Sequence, residues 1–250
     1  MFENVGGLLS AKWSKNGENG EIFRDVVKEF LAIKGYTVRW QLVHSKEYGV
    51  PQRRPRVLIV GYRKNVFDFS GKPALSEKTL IVPSGVADGF LPKPTYDYPT
   101  IPELLGDLTE AKVKYGETTR HYRCDPKPGV QTQLRTRLDG SLMRKGDELT
   151  EQEYSNHKPR IQLKFQHMID HEGKMEDHMR TKKFAQRVLP KVWGPGGPNI
   201  TATSLPDDYV HYCEARIPTV REWARIQMFP DWYVFKGPRT TGGRRRAGDP

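Results

Sequence analysis

Cysteine is scarce in this chain: 250 residues contain only Cys124 and Cys213, too few for a disulfide framework. No apolar run approaches the roughly 20 residues of a membrane span, so no membrane partner is expected. The opening stretch, MFENVGGLLSAKW, has no basic segment followed by an apolar core. A secretory signal is therefore not expected, and a cytoplasmic location is the default. Acidic residues are also in short supply. Asp and Glu number 30 against 41 Lys and Arg, a formal charge of +11, which favours a polyanionic partner, nucleic acid being the commonest.

What is present divides into three stretches. Residues 1–64 read as α/β. Ile22, Val26, Val27, Phe30 and Leu31 lie close to one helix face over 19–34, with Asn19 able to cap the start and Gly35 to end it. Val38, Trp40 and Leu42 then alternate with Thr37, Arg39 and Gln41, as in a half-buried strand over 36–43. The run VLIVGY at 57–62 is short and continuous enough for a buried strand. Residues 65–210 have scattered prolines, weak periodicity and clustered bases. Between Lys158 and Lys191 nine Lys and Arg face four acids. Short helices are predicted at 101–108 and around 175–188. From Arg216 regularity returns: Thr219 and Glu222 form a capping box, and a helix should run from Val220 to about Met228, ahead of Pro230.

Three segments carry specific chemistry. They are Glu3-Asn4-Val5 followed by Gly6-Gly7, Gln52-Arg53-Arg54-Pro55-Arg56 before the strand at Val57, and the stretch RIPTVREWARIQMFPD from Arg216 to Asp231. In this order they resemble the ENV, QxRxR and RxxTxRExARxQxFPD motifs (VI, VIII and IX) of the DNA cytosine-5 methyltransferases. The resemblance covers 1–64 and roughly 200–247. Between them lies the place where that family keeps a variable target-recognition domain.

The resemblance implies an α/β fold: the C-terminal part of a Rossmann-like, S-adenosylmethionine-dependent methyltransferase sheet plus an irregular, mixed target-recognition domain. The implied division is 1–64 catalytic, 65–210 DNA-binding, and 211–250 a return to the catalytic domain. It also implies methyl transfer from S-adenosylmethionine to C5 of a cytosine flipped out of double-stranded DNA. Glu3 would serve ring N3, in a closed pocket that raises its pKa. Arg56 would contact the base, and Arg54 the sugar-phosphate or a structural carboxylate. Asn4, Val5 and Gln52 would complete the pocket. The plainer readings are an exposed terminal glutamate and a basic strand edge that blocks sheet-edge pairing. The third segment reads as architectural, a helix seating the recognition module, with Val220, Trp223, Ala224 and Gln227 on one face and Arg221 and Arg225 on another.

Arg135, Arg137, Arg144, Lys145, Arg160, Arg180, Lys182 and Lys183 are the DNA-binding candidates, most of them for phosphates. Other clusters are weaker. His167 and His171 are four apart, but Met168 stands where a zinc protease motif needs glutamate, so a solvated helix face is expected. His121 and Cys124 lack a second ligand pair. Neither cysteine follows a proline, the context in which the family keeps its nucleophile. Its glycine-rich donor loop and Pro-Cys loop precede ENV, and a closing GN-x-V segment follows the third motif. The expectation is therefore a truncated or split enzyme, inactive alone, that needs a complementing N-terminal methyltransferase subunit. Without the rest of the sheet, the apolar faces at Val57–Val60 and near Phe30 would be partly bare. Two alternatives are a non-catalytic DNA-binding subunit that complements a separate methyltransferase, and an RNA methyltransferase of similar architecture.

Overall fold

The computed structural model describes residues 1–66, 91–95, 97–179, 186–192 and 209–236. They group into two compact units, one of residues 1–49 and 53–97, the other of 50–52 and 98–250.

In the first unit, β1 (Phe2–Val5), α1 (Glu21–Ala32), β2 (Tyr36–His44) and β3 (Pro55–Arg63) follow the predicted order of helix and strands. The sheet order is β1-β3-β2, and β3 is antiparallel to both neighbours. The outer strands, joined through α1, thus run in the same direction with β3 reversed between them. Phe23 and Val27 of α1 are buried with Val38, Trp40, Val57 and Ile59, and the Phe23 and Trp40 rings meet edge-on at 4.7 Å. This apolar face is what makes a twelve-residue helix stable here, since helices of that length are marginal alone.

Two local details differ from the sequence reading. Asn19 does not cap α1; the cap position is Gly20 at φ +76°, with no side-chain hydrogen bond. A Cβ there would come within 2.8 Å of the Leu9 carbonyl oxygen, so glycine is required for space as well as for φ. Arg39, which alternation places on the polar side of β2, is buried. In β3 the alternation is plain: Val57 and Ile59 are buried, while Leu58 and Val60 are half-buried.

The second unit is built from short elements: α2 (Ile101–Leu105), α3 (Val130–Arg135), α4 (Pro159–Asp170), β4 (Arg187–Val188), β5 (Tyr209–Val210) and α5 (Val220–Ile226). Helix α2 begins in a capping box, Thr100 Oγ1 accepting from the Glu103 N–H while Glu103 accepts from the Thr100 N–H, and it stops three residues earlier than predicted. The helix expected around 175–188 is not formed among the described residues, which hold a single 3-10 turn at Asp177–Met179 and then β4. The long helix is α4 instead. Its Ile161, Phe165, Met168 and Ile169 pack with Val210, Ala215 and Ile217, a helical stripe that the surrounding bases hide. A second core joins Ile101, Leu104, Leu105, Leu134, Tyr209, Trp223 and Ile226. No helix among the described residues is long and apolar enough to cross a membrane.

Candidate functional site

The β1–β3 ladder sets Val5 opposite Arg56 and Glu3 opposite Leu58. Glu3 and Arg56 are therefore diagonal neighbours on one face, within reach of long side chains. The Arg56 Nε lies 2.5 Å from Glu3 Oε1, with the two side chains 20% and 50% exposed. Arg56 Nη1 also donates to the Pro55 carbonyl at 2.8 Å, which fixes the guanidinium at the strand entry. Among the described residues Glu3 is thus half-exposed and ion-paired rather than enclosed. Asn4 Oδ1 accepts from the Val5 N–H at 2.8 Å, and the Val5 side chain is exposed.

Arg54 stands one residue ahead of β3 with φ +20°, so strand alternation does not set its direction. Gln52 belongs to the second unit. Its side chain is buried, and its Oε1 has no hydrogen-bond partner among the described residues. Of the pocket residues read from the sequence, the structure brings Glu3 and Arg56 into contact.

A Cβ on Gly6 would touch Pro55 at 3.4 Å and Leu42 at 3.7 Å, so the turn after β1 packs against the start of β3 and against β2. No described residue is assigned to S-adenosylmethionine.

The third motif is the hub of the second unit. Glu222 plays two parts: it completes the capping box of α5 with Thr219, and it receives Arg216 on both oxygens at 2.7 and 2.6 Å. Arg216 also binds Glu214. Arg225 meets Asp231 Oδ1 at 3.0 Å and Oδ2 at 2.6 Å, and it reaches Asp107 and the Leu104 carbonyl. Arg221 donates to the Thr150 hydroxyl at 2.7 Å and to the Pro230 and Tyr233 carbonyls. All three arginines are fully buried. Such burial is tolerable because planar guanidinium donors find fixed acceptors on several sides.

This corrects the expected helix faces. Residues 221–226 are buried all round, and Val220, placed on the packed face by spacing, is 39% exposed. The signal for the arginines lay in their acids: Glu222 and Asp231 belong to the motif, whereas Asp107 follows an apolar helix and gave no sign of its role.

Electrostatics follows from this packing. Burial works against the charged form of Glu222, yet Arg216, bound to both of its oxygens, holds its carboxyl down at about 2. Burial pushes His211 down to about 3, so its ring is neutral, and Nδ1 accepts from the Glu214 N–H at 3.2 Å. Its approach to Glu222, 3.8 Å from Nε2, is consequently not an ion pair. His211, Glu214 and Glu222 could offer a metal three ligands within 4.8 Å, but the Arg216 guanidinium already binds both carboxylates. The other metal candidates dissolve as well. The His167 and His171 rings stack at 4.0 Å, and His171 Nδ1 bonds the His167 carbonyl. Cys124 and Cys213 are free thiols.

Among the DNA-binding candidates, Arg135 requires correction. It is fully buried, donating to the Met143 and Cys124 carbonyls and to Asp107, and it lies over the Tyr122 ring at 3.7 Å. No phosphate can reach it. Arg144, Lys145 and Arg160 are exposed and Arg137 is half-exposed. Arg180, Lys182 and Lys183 lie outside the described residues.

Sequence and fold together define the class: the chain belongs to the C-5 cytosine-specific DNA methylase family, whose sequence model matches residues 1–249. Among its curated relatives are the type II methyltransferase M.DdeI of Desulfomicrobium norvegicum, 29% identical over 96% of this chain and 55% of that protein, and M.XorII of Xanthomonas oryzae pv. oryzae, 28% identical over 98% and 53%. The chain spans about half the length of these relatives. In fold it is similar to an E. coli protein described as a DNA modification methyltransferase encoded within a prophage, with TM-score 0.56, 21% identity, and 93% of this chain and 59% of that one covered. The fold is that of an α/β methyltransferase.

Proposed function

We propose that this chain supplies cytosine-binding residues and the DNA-reading module of a DNA (cytosine-5) methyltransferase acting on double-stranded DNA, with S-adenosylmethionine as donor. The observation that carries the reading is the Glu3–Arg56 pair. Two motifs more than fifty positions apart put a carboxylate and a guanidinium side by side on one face of neighbouring strands. Arg56 engages Oε1, leaving Glu3 Oε2 without a described partner. A carboxyl group there can serve cytosine N3 while the guanidinium serves O2. Attack of a thiolate on C6 loads the ring with charge, and a proton or a strong hydrogen bond at N3 gives that charge a sink. Arg54, Asn4 and Val5 belong to the same proposed base site, and Gln52, which lies in the second unit, is proposed separately as a substrate-binding residue.

No step is assigned to the donor, since none of the described residues is assigned to it. Cys124 and Cys213 follow Arg123 and Tyr212 rather than proline. We therefore expect these 250 residues to transfer no methyl by themselves and to act with a segment, in the same or a separate polypeptide, that carries nucleophile and donor site. The type II methyltransferases among the relatives support a restriction–modification setting.

The test is tritiated methyl transfer to mixed-sequence DNA, first by the chain alone and then with an added segment carrying the family's donor-binding and Pro-Cys motifs. Transfer only in the mixture, abolished by Glu3→Gln, is expected. DNA binding without transfer by a folded assembly would instead assign the chain to the non-catalytic binding subunits.

A further inference from the structure

The exposed cations of the second unit include two presented on a braced structure. Residues 137–141 form a tight hairpin turn: the Arg137 N–H donates to the Ser141 carbonyl at 2.8 Å, the Gly140 N–H to the Arg137 carbonyl at 2.9 Å, and Thr136 bridges Leu142. Asp139 Oδ1 accepts from the Ser141 N–H, and Gly140 sits at φ +82°. At the tip, Leu138 is 84% exposed. Residues 144–147 form a second turn, closed by the Asp147 N–H on the Arg144 carbonyl. Its tip displays Arg144 and Lys145, whose side chains have no ion-pair partner among the described residues.

The turns are locked together. Asp147 Oδ2 accepts from the Arg144 N–H at 2.8 Å and lies 3.6 Å from Arg137 Nη2 of the first turn. Asp125 holds the Lys145 N–H at 3.0 Å, and Tyr122 pairs with the backbone of Gly146 and Asp147. Beneath both, buried Arg135 grips the Met143 carbonyl at the junction. Single exposed leucines are common and need no ligand. Here the turn that carries Leu138 and the turn that carries Arg144 and Lys145 are connected through Asp147, so one exposed apolar side chain and two exposed cations are borne on linked turns.

We propose that these paired turns form one DNA-reading tip, in which Arg144 and Lys145 sit on phosphates and Leu138 presses against the bases of the duplex. This rests on the proposed function, and it names which surface meets DNA and which residue contributes sequence choice. Cations on phosphates give affinity without sequence information, whereas apolar contact with a thymine methyl or a base step gives the selection. Asp147 is a positioning residue that keeps the two tips in register.

The full chain is assayed against a pool of short duplexes of random sequence, with the bound fraction sequenced and affinity followed against salt. Leu138→Ala should reduce the enrichment of preferred sequences about tenfold, the scale of one lost base-pair preference, with an unchanged salt slope and melting temperature. Leu138→Met should retain the enrichment. Arg144→Gln with Lys145→Gln should lower the salt slope by about 1.8, two phosphates' share. A wild-type chain that binds every duplex alike, a Leu138→Ala chain with intact preference, or a charge variant with an intact slope overturns the inference while leaving DNA binding in place. A wild-type chain that binds no duplex removes the DNA reading itself, and the inference with it.

Discussion

Arg225 binds both oxygens of Asp107 across 118 positions of sequence, Nη1 to Oδ1 at 2.5 Å and Nη2 to Oδ2 at 3.0 Å. The same guanidinium grips Asp231 on its other side, so one side chain clamps the end of α2 to the segment after α5. Removing one member strands a buried charge, which costs about 3–5 kcal/mol. Arg225→Ala and Asp107→Ala should each lower the unfolding free energy from urea titration by that amount. Their double variant should lose much less than the sum, as expected of partners in one network.

His211 and Glu222 set the response to acid. The folded-state pKa of His211 lies near 3 against an ordinary 6.5, so below 6.5 the unfolded chain takes up a proton that the folded chain refuses. Stability then falls with pH, by up to about 1.4 kcal/mol per unit. Glu222, at about 2 against 4.5, acts in the same direction: its contribution is full above 4.5 and is lost as pH falls towards 2. Thermal melts from pH 7 to 4 should show a steep loss, and His211→Gln should flatten the part between 6.5 and 4.5. An unchanged slope in that variant would place the proton uptake elsewhere.

Thr219 caps α5 and also donates its hydroxyl to Gln152 Oε1 at 2.7 Å. Thr219→Ala should therefore cost more than the typical 1 kcal/mol or so of a lost cap, since Gln152 is left buried without that donor. Thr219→Ser keeps both contacts and should cost less than half as much in the same denaturant titration.

Glu3 and Arg56 should separate chemistry from stability. Their pair is half-exposed and screened, worth no more than about 1 kcal/mol. Glu3→Gln and Arg56→Ala should unfold at nearly the wild-type midpoint, yet reduce methyl transfer in the complemented assembly at least a hundredfold, the scale of a lost acid–base contribution. A parallel loss of stability and activity would mark the pair as structural.

The first unit was legible because its signals are local. The apolar stripe of α1, the alternation in β2 and the run in β3 are each decided within a dozen residues. The reversal of β3 was not legible, because strand direction depends on which neighbours pair. The two motifs put Glu3 and Arg56 at one expected base site, but their direct ion pair and its open setting depend on strand pairing and the tertiary surroundings and were not legible. In the second unit, the α4 stripe of Ile161, Phe165 and Met168 is diluted by Arg160, Lys164 and His167. Arg135 failed as a DNA candidate for a related reason: a charge in the sequence says nothing of whether Asp107 waits for it 28 positions earlier. The helix at 220–226 was readable from its capping box, whereas the burial of its arginines was set by residues near 107 and 150.

The double duty of Glu222 bears on how the chain reaches its native state. A seven-residue helix cannot hold itself in water, and the carboxylate that starts α5 is the one that docks Arg216. Helix formation and docking are then a single event, and that event must wait for the segments around Asp107 and Thr150 to arrive from far earlier in the chain. Amide protons of α5 should exchange only when the whole second unit opens, making a short helix near the end of the described chain one of its slowest places to breathe.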